Sequence, residues 1–442
     1  MAADINFSGE IRVRGFYKNN STDADNNIED DEKFNDMRFR LKASFITGRT
    51  RGVVTLDILN NFNDTGNYRF GANGSGKSIN QVGIREAYLY LTLHPANFII
   101  GRKQSTIGRG IVFDDTADII NIVIPGYYGY LSLADMKLAD TCADIGRVVA
   151  IDIGDDHILT SDDRVEVKSS CIDTGKDSDL YLADLYLKFN TDTDIELFLL
   201  YLDDKEGILL PLLKGNKDVY FSGISFYKKL RRIDYDIELS FVKGNMNSSL
   251  LFPDGIDISG YTIYTDTTFS STFGNIGLAF LYTSGQESKG KLNITDISPN
   301  FVLGNILVNN EDRGAQDGGS LGCPSVASFP LDEGLGFCYG LIAAKLSGMI
   351  KPAERLSMNG AIIWARLREK FPSEVFNYVY LTDESNIGIE VDANANFIID
   401  DNLSLSAGAG YLFTGDIFKA VNDDPFANDD IYKISSKLVY SF

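Results

Sequence analysis

From Ile5 onward the chain alternates apolar and polar residues with a period of two. Ile5, Phe7, Ile11, Val13 and Tyr17 fall on one face; Asn6, Ser8, Glu10, Arg12 and Arg14 fall on the other. That period is the mark of a strand with one face in an apolar medium and one in water. The next segment repeats it, setting Met37, Phe39, Leu41, Ala43 and Phe45 against Asp36, Arg38, Arg40, Lys42 and Ser44. The turn "GRTR" then leads to Val54, Leu56 and Ile58 on a third strand. Further strands are predicted near 82–93, 97–104, 117–124, 178–189, 195–203, 218–228, 233–243, 258–269 and 275–284. Five more follow near 338–350, 355–368, 387–398, 403–414 and 430–442.

The connections alternate in length. Short turns are predicted near 49–51, 94–96, 190–194, 229–232, 271–274, 351–354 and 399–402. Long polar loops lie near 19–33, 60–80, 204–217, 244–257, 285–337, 369–386 and 415–429. The rhythm breaks between 125 and 177, where one more strand is required. Gly126 to Met136 and Gly146 to Gly154 both qualify, and the first is preferred because it leaves one long loop near 139–177. The sum is 18 strands, with 16 as the fallback. The fold class is all-β: one transmembrane antiparallel β-barrel over residues 1–442, with short periplasmic turns and long extracellular loops. An even count puts both ends of the chain on the periplasmic side.

Composition narrows the choice. An apolar fraction of 44% without a continuous apolar stretch excludes transmembrane helices, which need about 18–20 such residues. Ile208 to Leu213, for example, is broken by Pro211. Strands of a membrane barrel average to neutral hydropathy because they alternate. A soluble sandwich also alternates, but it has to bury its inner face. Several inner faces here carry charges, which a dry core accepts only at large desolvation cost. The 22 Tyr and 28 Phe suit interfacial girdles.

The net charge of −21 argues against nucleic acid as a partner. Much of it lies in irregular segments such as Asp23 to Glu32 and Asp152 to Asp163. These are solvated loops, or acidic surfaces sharing divalent cations with lipopolysaccharide phosphates. Inside, the first two strands present Arg12, Arg14, Arg38, Arg40 and Lys42 as a basic ladder. The strand at 233–243, about tenth of 18, presents Asp234, Asp236 and Glu238 from roughly the opposite wall. Facing walls of opposite sign would set a transverse field that orients dipolar solutes and tunes ion selectivity; the alternative is that the charges only solvate the lumen. Glu390 and Asp392 read as inward-facing. Arg85, Arg102, Lys103, Arg366 and Arg368 have no assignable face. Ser105 to Asp118 reads either as a constriction segment or as an ordinary outer loop, and 285–337 as a plug or as a surface feature.

The segment "DIYKISSKLVYSF" alternates to Phe442, with Tyr440 and Phe442 on the apolar face. It resembles the C-terminal strand of bacterial outer-membrane proteins that the barrel-assembly machinery recognises. "IREAYLYLTL" at 84–93, "FIIGRKQ" at 98–104, "FDDTADIINIV" at 113–123 and the run at 386–418 resemble the porin and alginate-export-like group of Gram-negative barrels. The resemblance implies a passive outer-membrane channel for small polar or charged solutes and ions. Its expected partners are lipid, lipopolysaccharide and two further copies of itself as a homotrimer. A second reading is a barrel that sheathes a partner such as a multihaem cytochrome in an electron conduit.

Other chemistry finds little support. Cys142, Cys171, Cys323 and Cys338 lack a C-x-x-C spacing and allow three pairings. Each of the two long irregular regions contains or borders one pair, so Cys142–Cys171 and Cys323–Cys338 disulfides are expected in an oxidising compartment, with free thiols as the alternative. His94 and His157 lack the companions of a zinc site, and there is no nucleophile elbow, P-loop or haem-attachment motif. No enzyme activity and no cofactor are expected. Asp423, Asp424, Asp429 and Asp430 form the most compact cluster for weak Ca²⁺ binding. Met1 to Phe7 shows no secretory signal, so the chain reads as a mature sequence.

Overall fold

The computed structural model describes residues 4–20, 24, 31–61, 81–138, 143–151, 164–172, 178–205, 216–247, 255–285, 291–297, 301–307, 325–326, 329–330, 339–369, 374–375, 378–379, 384–421 and 429–442. Eighteen of its strands form one closed antiparallel ring. The first six are β1 (Asp4–Lys18), β2 (Glu32–Thr47), β3 (Thr50–Asn61), β4 (Gln81–Leu93), β5 (Ala96–Ile107) and β6 (Phe113–Pro125). Next come β7 (Gly129–Lys137), β8 (Asp179–Asn190), β9 (Thr193–Asp204), β10 (Lys217–Leu230), β11 (Ile233–Met246) and β12 (Ile256–Ser270). The last six are β13 (Gly274–Thr283), β14 (Leu341–Ala353), β15 (Leu356–Leu367), β16 (Asn386–Asp400), β17 (Leu403–Thr414) and β18 (Ile431–Ser441).

Each strand pairs with its neighbours in sequence, and β18 closes the ring on β1 through Glu10↔Ser441 to Lys18↔Lys433. All but one of the strands exceed the 9 residues of β7, and about 9–11 residues suffice to cross a bilayer on a tilt. Phe7, Leu89, Ile120, Leu199, Phe241, Leu278, Ile362 and Phe413 are exposed on the outer face, so the ring wears its hydrophobic residues outside. Only an apolar surrounding makes that arrangement stable. At one end sit short turns such as Gly48–Arg49 and Arg231–Arg232. The longer connections lie at the other.

Gly126 to Met136 corresponds to β7, as preferred. Gly146 to Gly154 does not join the ring: Ala143–Ile151 pairs with Arg164–Ile172 in a separate hairpin. The acidic strand is the eleventh rather than the tenth. β6 starts four residues earlier than predicted, at Phe113, because the loop before it is only five residues long. The predicted loop at 415–429 opens with a helical turn, Ile417–Val421, whose Ile417 and Phe418 are fully buried.

The interior toward the long-loop end is not empty. Residues 107–113, 294–297 and 301–307 fold inward and build two apolar clusters against the inner wall, while Lys291–Asn293 pairs in parallel with residues 257–259 of β12. Ile107, Val112 and Phe113 pack with Met136, Phe198, Leu200 and Phe221. Ile111 packs with Phe301, Leu303, Ile306 and Leu307 against Leu341, Ile363, Ile387 and Leu412. The segments also join each other, since Ile297 N donates to Val112 O at 2.9 Å.

Candidate functional site in the barrel lumen

Period-two strands aim every second side chain inward, and at β1 to β5 those side chains include a cluster of cations with carboxylates among them. Arg12 and Arg14 both donate to the fully buried Asp36, at 3.5 and 2.8 Å. Arg38 meets Glu10 at 2.5 Å. Arg40 grips Asp57 with Nε to Oδ1 at 2.5 Å and Nη2 to Oδ2 at 2.6 Å. Lys42 lies 3.8 Å from Glu86, and Arg85, at a bulge in β4, lies 3.9 Å from Asp57. Lys103 shares this face, opposite the buried Ala117. Seven cations in this network thus share four carboxylates, and the wall keeps an excess of positive charge. β18 extends it: Lys437 sits opposite Arg14, and Lys433 opposite Lys18.

The inner face of β8 to β12 is acidic. Asp194 and Asp236 lie in one row across it. Glu196, Ser225 and Glu238 lie in the next, with Ser225 Oγ donating to Glu196 at 3.5 Å. β2 and β11 stand halfway round the ring from each other, so the two walls face across the lumen. The five residues between β5 and β6 dock on the acidic wall. Gly108 N donates to Glu196 Oε1 at 2.9 Å, and Arg109 N to Glu238 Oε2 at 2.6 Å. The Arg109 guanidinium pairs with Asp236 at 2.6 Å and lies over the Tyr227 ring at 5.5 Å.

A second docking joins residues 301–307 to β16. Glu390 Oε1 accepts from Asn305 N and Ile306 N at 2.7 and 2.8 Å, and Oε2 from Leu307 N at 2.7 Å. Asp392 Oδ2 accepts from Asn305 N at 3.1 Å. Two lysines hold the same segment by its carbonyls: Lys345 donates to Leu303 O at 2.6 Å and Lys433 to Asn305 O at 3.0 Å.

The predicted basic residues Arg12, Arg14, Arg38, Arg40 and Lys42 therefore share one inner wall with acidic partners interleaved among them. Asp236 and Glu238 hold an infolded segment, and Asp234 stands at the turn end of the same face. Arg102 and Arg366 fall on the outer face, in register with Asp118 and Ile342. Arg368 lies just past β15, over the Tyr282 ring at 5.9 Å. Phe442 exchanges backbone hydrogen bonds with Gly9 at 2.8 and 3.0 Å, and Tyr440 packs beside it on the outer face.

Two groups of predicted residues give less. Cys142, Cys323 and Cys338, and the side chain of Cys171, lie outside the described residues, as do Asp423 and Asp424. Asp430 is engaged as a strap rather than left open, its carboxylate accepting from Tyr411 Oη at 2.7 Å and Thr414 N at 3.2 Å. Among the described residues no group of three or more His, Cys, Asp or Glu is placed to hold a metal ion. Sequence reading missed Glu196, Arg109, Lys433 and Lys437 as members of the lumen. Lys433 and Lys437 were reachable, since ring closure sets the polar face of β18 beside that of β1.

No protein-family model matches the chain, and no curated protein matches it. Solved structures do resemble it. OccK9 (OpdG) of Pseudomonas aeruginosa is similar with a TM-score of 0.59 at 12% identity, over 99% of this chain and 98% of that one. OccAB4 of Acinetobacter baumannii is similar with a TM-score of 0.58 at 9% identity, again over 99% and 98%. OccK8 (OprE) of Pseudomonas aeruginosa is similar with a TM-score of 0.54 at 12% identity, over the same shares. At such identities the likeness concerns the fold, and it extends over the whole ring.

Proposed function

We propose that the protein is an outer-membrane porin: a passive channel through which small polar or charged solutes cross, with anions and carboxylates following the basic wall. The observation that carries this reading is the pair of opposed inner walls, one rich in guanidinium groups and one in carboxylates. A guanidinium fork binds carboxylate oxygens in a bidentate geometry, as Arg40 does with Asp57. A solute carboxylate can exchange with such internal partners step by step, which keeps binding weak enough for release. Zwitterions gain from both walls at once. The full-length likeness to Occ structures supports the same reading at the level of fold.

The sheath reading has less support. A sleeve around a second protein needs an open bore, and this bore is occupied by its own segments at 107–113, 294–297 and 301–307.

The test is unitary conductance and reversal potential in a planar bilayer under a tenfold KCl gradient. Wild type is expected to conduct in steady steps with a reversal potential on the anion-preferring side. Replacing Arg12, Arg38 and Arg40 together by Ala should move it toward cations. An unchanged reversal potential in the triple variant would sink the role given to the basic wall.

A further inference from the structure

Glu390 occupies an odd position for a carboxylate. Its neighbours across the sheet are Ile363 and Leu412, and all three are fully buried. A carboxyl group among apolar side chains is retained only if hydrogen bonds replace its water. The three backbone N–H groups of residues 305–307 supply them. Gly304 permits the approach, because a Cβ there would lie 2.5 Å from Glu390 Oε2 and 2.6 Å from Ile363 Cδ1. The other docking is built alike. Gly108 has a left-handed φ of +61°, and a Cβ on it would lie 2.4 Å from Glu238 Oε2. Glu238 is itself 1% exposed. Each infolded turn thus presses a glycine onto a buried glutamate of the inner wall, with three following N–H groups at Glu390 and one, that of Arg109, at Glu238.

We infer that Glu390 and Glu238 are the positioning residues that set the bore of the channel, each clasping an infolded segment by its backbone. This rests on the channel reading. The apolar contacts of Ile111, Leu303 and Ile306 give the segments their seat, and the glutamates fix the height and angle at which they sit. Because the clasp is made to backbone atoms, the sequence of the segment matters less than its glycine.

Conductance of the full chain in planar bilayers, with exclusion of graded polyethylene glycols as a gauge of bore, tests this. Heat-modifiable migration on gels certifies a folded barrel for each variant. Glu390→Ala and Gly304→Val are expected to raise unitary conductance by roughly twofold or more and to admit larger polymers, since conductance follows the narrowest section. Glu390→Gln, which keeps one acceptor oxygen and the side-chain shape, should fall between them and wild type. Glu238→Ala should act in the same direction on the other segment. A change in polymer cut-off graded from Gln to Ala is not what mere loss of stability gives. If wild type conducts and the folded variants match it in conductance and cut-off, the clasps are overturned and the channel stands. If wild type is silent and Glu390→Ala conducts, the clasps are upheld and the open-channel reading falls. Silence from every folded variant overturns both.

Discussion

At the scale of single residues, the largest lever on stability lies where β9 ends and β10 begins. Asp204 and Lys217 face each other in register, with Lys217 Nζ 3.3 Å from Asp204 Oδ2 and both side chains fully buried. Ser178 Oγ donates to the other carboxylate oxygen at 3.0 Å. Removing one partner leaves a charge in the dry interior, which costs about 3–5 kcal/mol. Asp204→Ala should therefore lower the urea midpoint of the lipid-reconstituted barrel well beyond experimental scatter. Asp416→Ala breaks an exposed pair with Lys419 instead, and such pairs contribute about 0–1 kcal/mol, so its midpoint should stay near wild type. Equal effects would mean the buried pair is hydrated. Alternation in sequence could not reveal this pair. The period fades at 203 and resumes at 218, one residue short of each partner, and only the hairpin register brings the two together.

At the scale of elements, the strands were legible, while the infolded segments within 105–118 and 285–337 were legible only as one of two alternatives each, for a physical reason. A strand between lipid and water has to alternate, so its residues report both its existence and its faces. That was enough to put Arg12, Arg38 and Asp236 inside and to place a strand at β7. A loop that folds inward is held by contacts to residues far along the chain. Asn305 to Leu307 meet Glu390 more than eighty residues later, and Gly108 meets Glu196 eighty-eight residues later. No local period records those distances. Glu390 was readable as inward-facing; its partners, being backbone N–H groups, carry no residue signature at all. The seam between β1 and β18 makes a related demand on a single position. Gly9 lies under the Phe442 ring, and a Cβ would stand 2.5 Å from both Phe442 Cζ and the Arg40 carbonyl oxygen. Gly9→Val is expected to lower the fraction of heat-modifiable barrel after refolding. Adding Phe442→Ala should restore part of it, since the ring is relieved and the carbonyl contact is not. Full refolding of Gly9→Val alone would show that the seam has slack.

At the scale of the whole molecule, two electrostatic facts pull in opposite directions. The chain carries a net charge of −21, while the inner wall from β1 to β5 carries an excess of cations. Which of them an ion in transit feels depends on the screening length, about 3 Å at 1 M salt, 10 Å at 0.1 M and 30 Å at 0.01 M. At the highest salt even the wall is screened, and the channel should discriminate weakly. Near 0.1 M the field of the nearest charges, those of the wall, dominates over that of the whole chain, so the basic wall governs and anion preference should be greatest. At 0.01 M the field of the whole chain reaches the entrance, draws in cations and erodes that preference. Reversal potentials at a fixed concentration ratio, stepped through these three salt levels, should therefore pass through a maximum of anion selectivity. With Arg12, Arg38 and Arg40 replaced by Ala the maximum should vanish and cation preference should grow steadily as salt falls. A wild-type curve that also rises steadily toward cations would mean that the net negative charge of the chain governs at every salt level, and that the guanidinium groups are fully consumed by Asp36, Glu10 and Asp57.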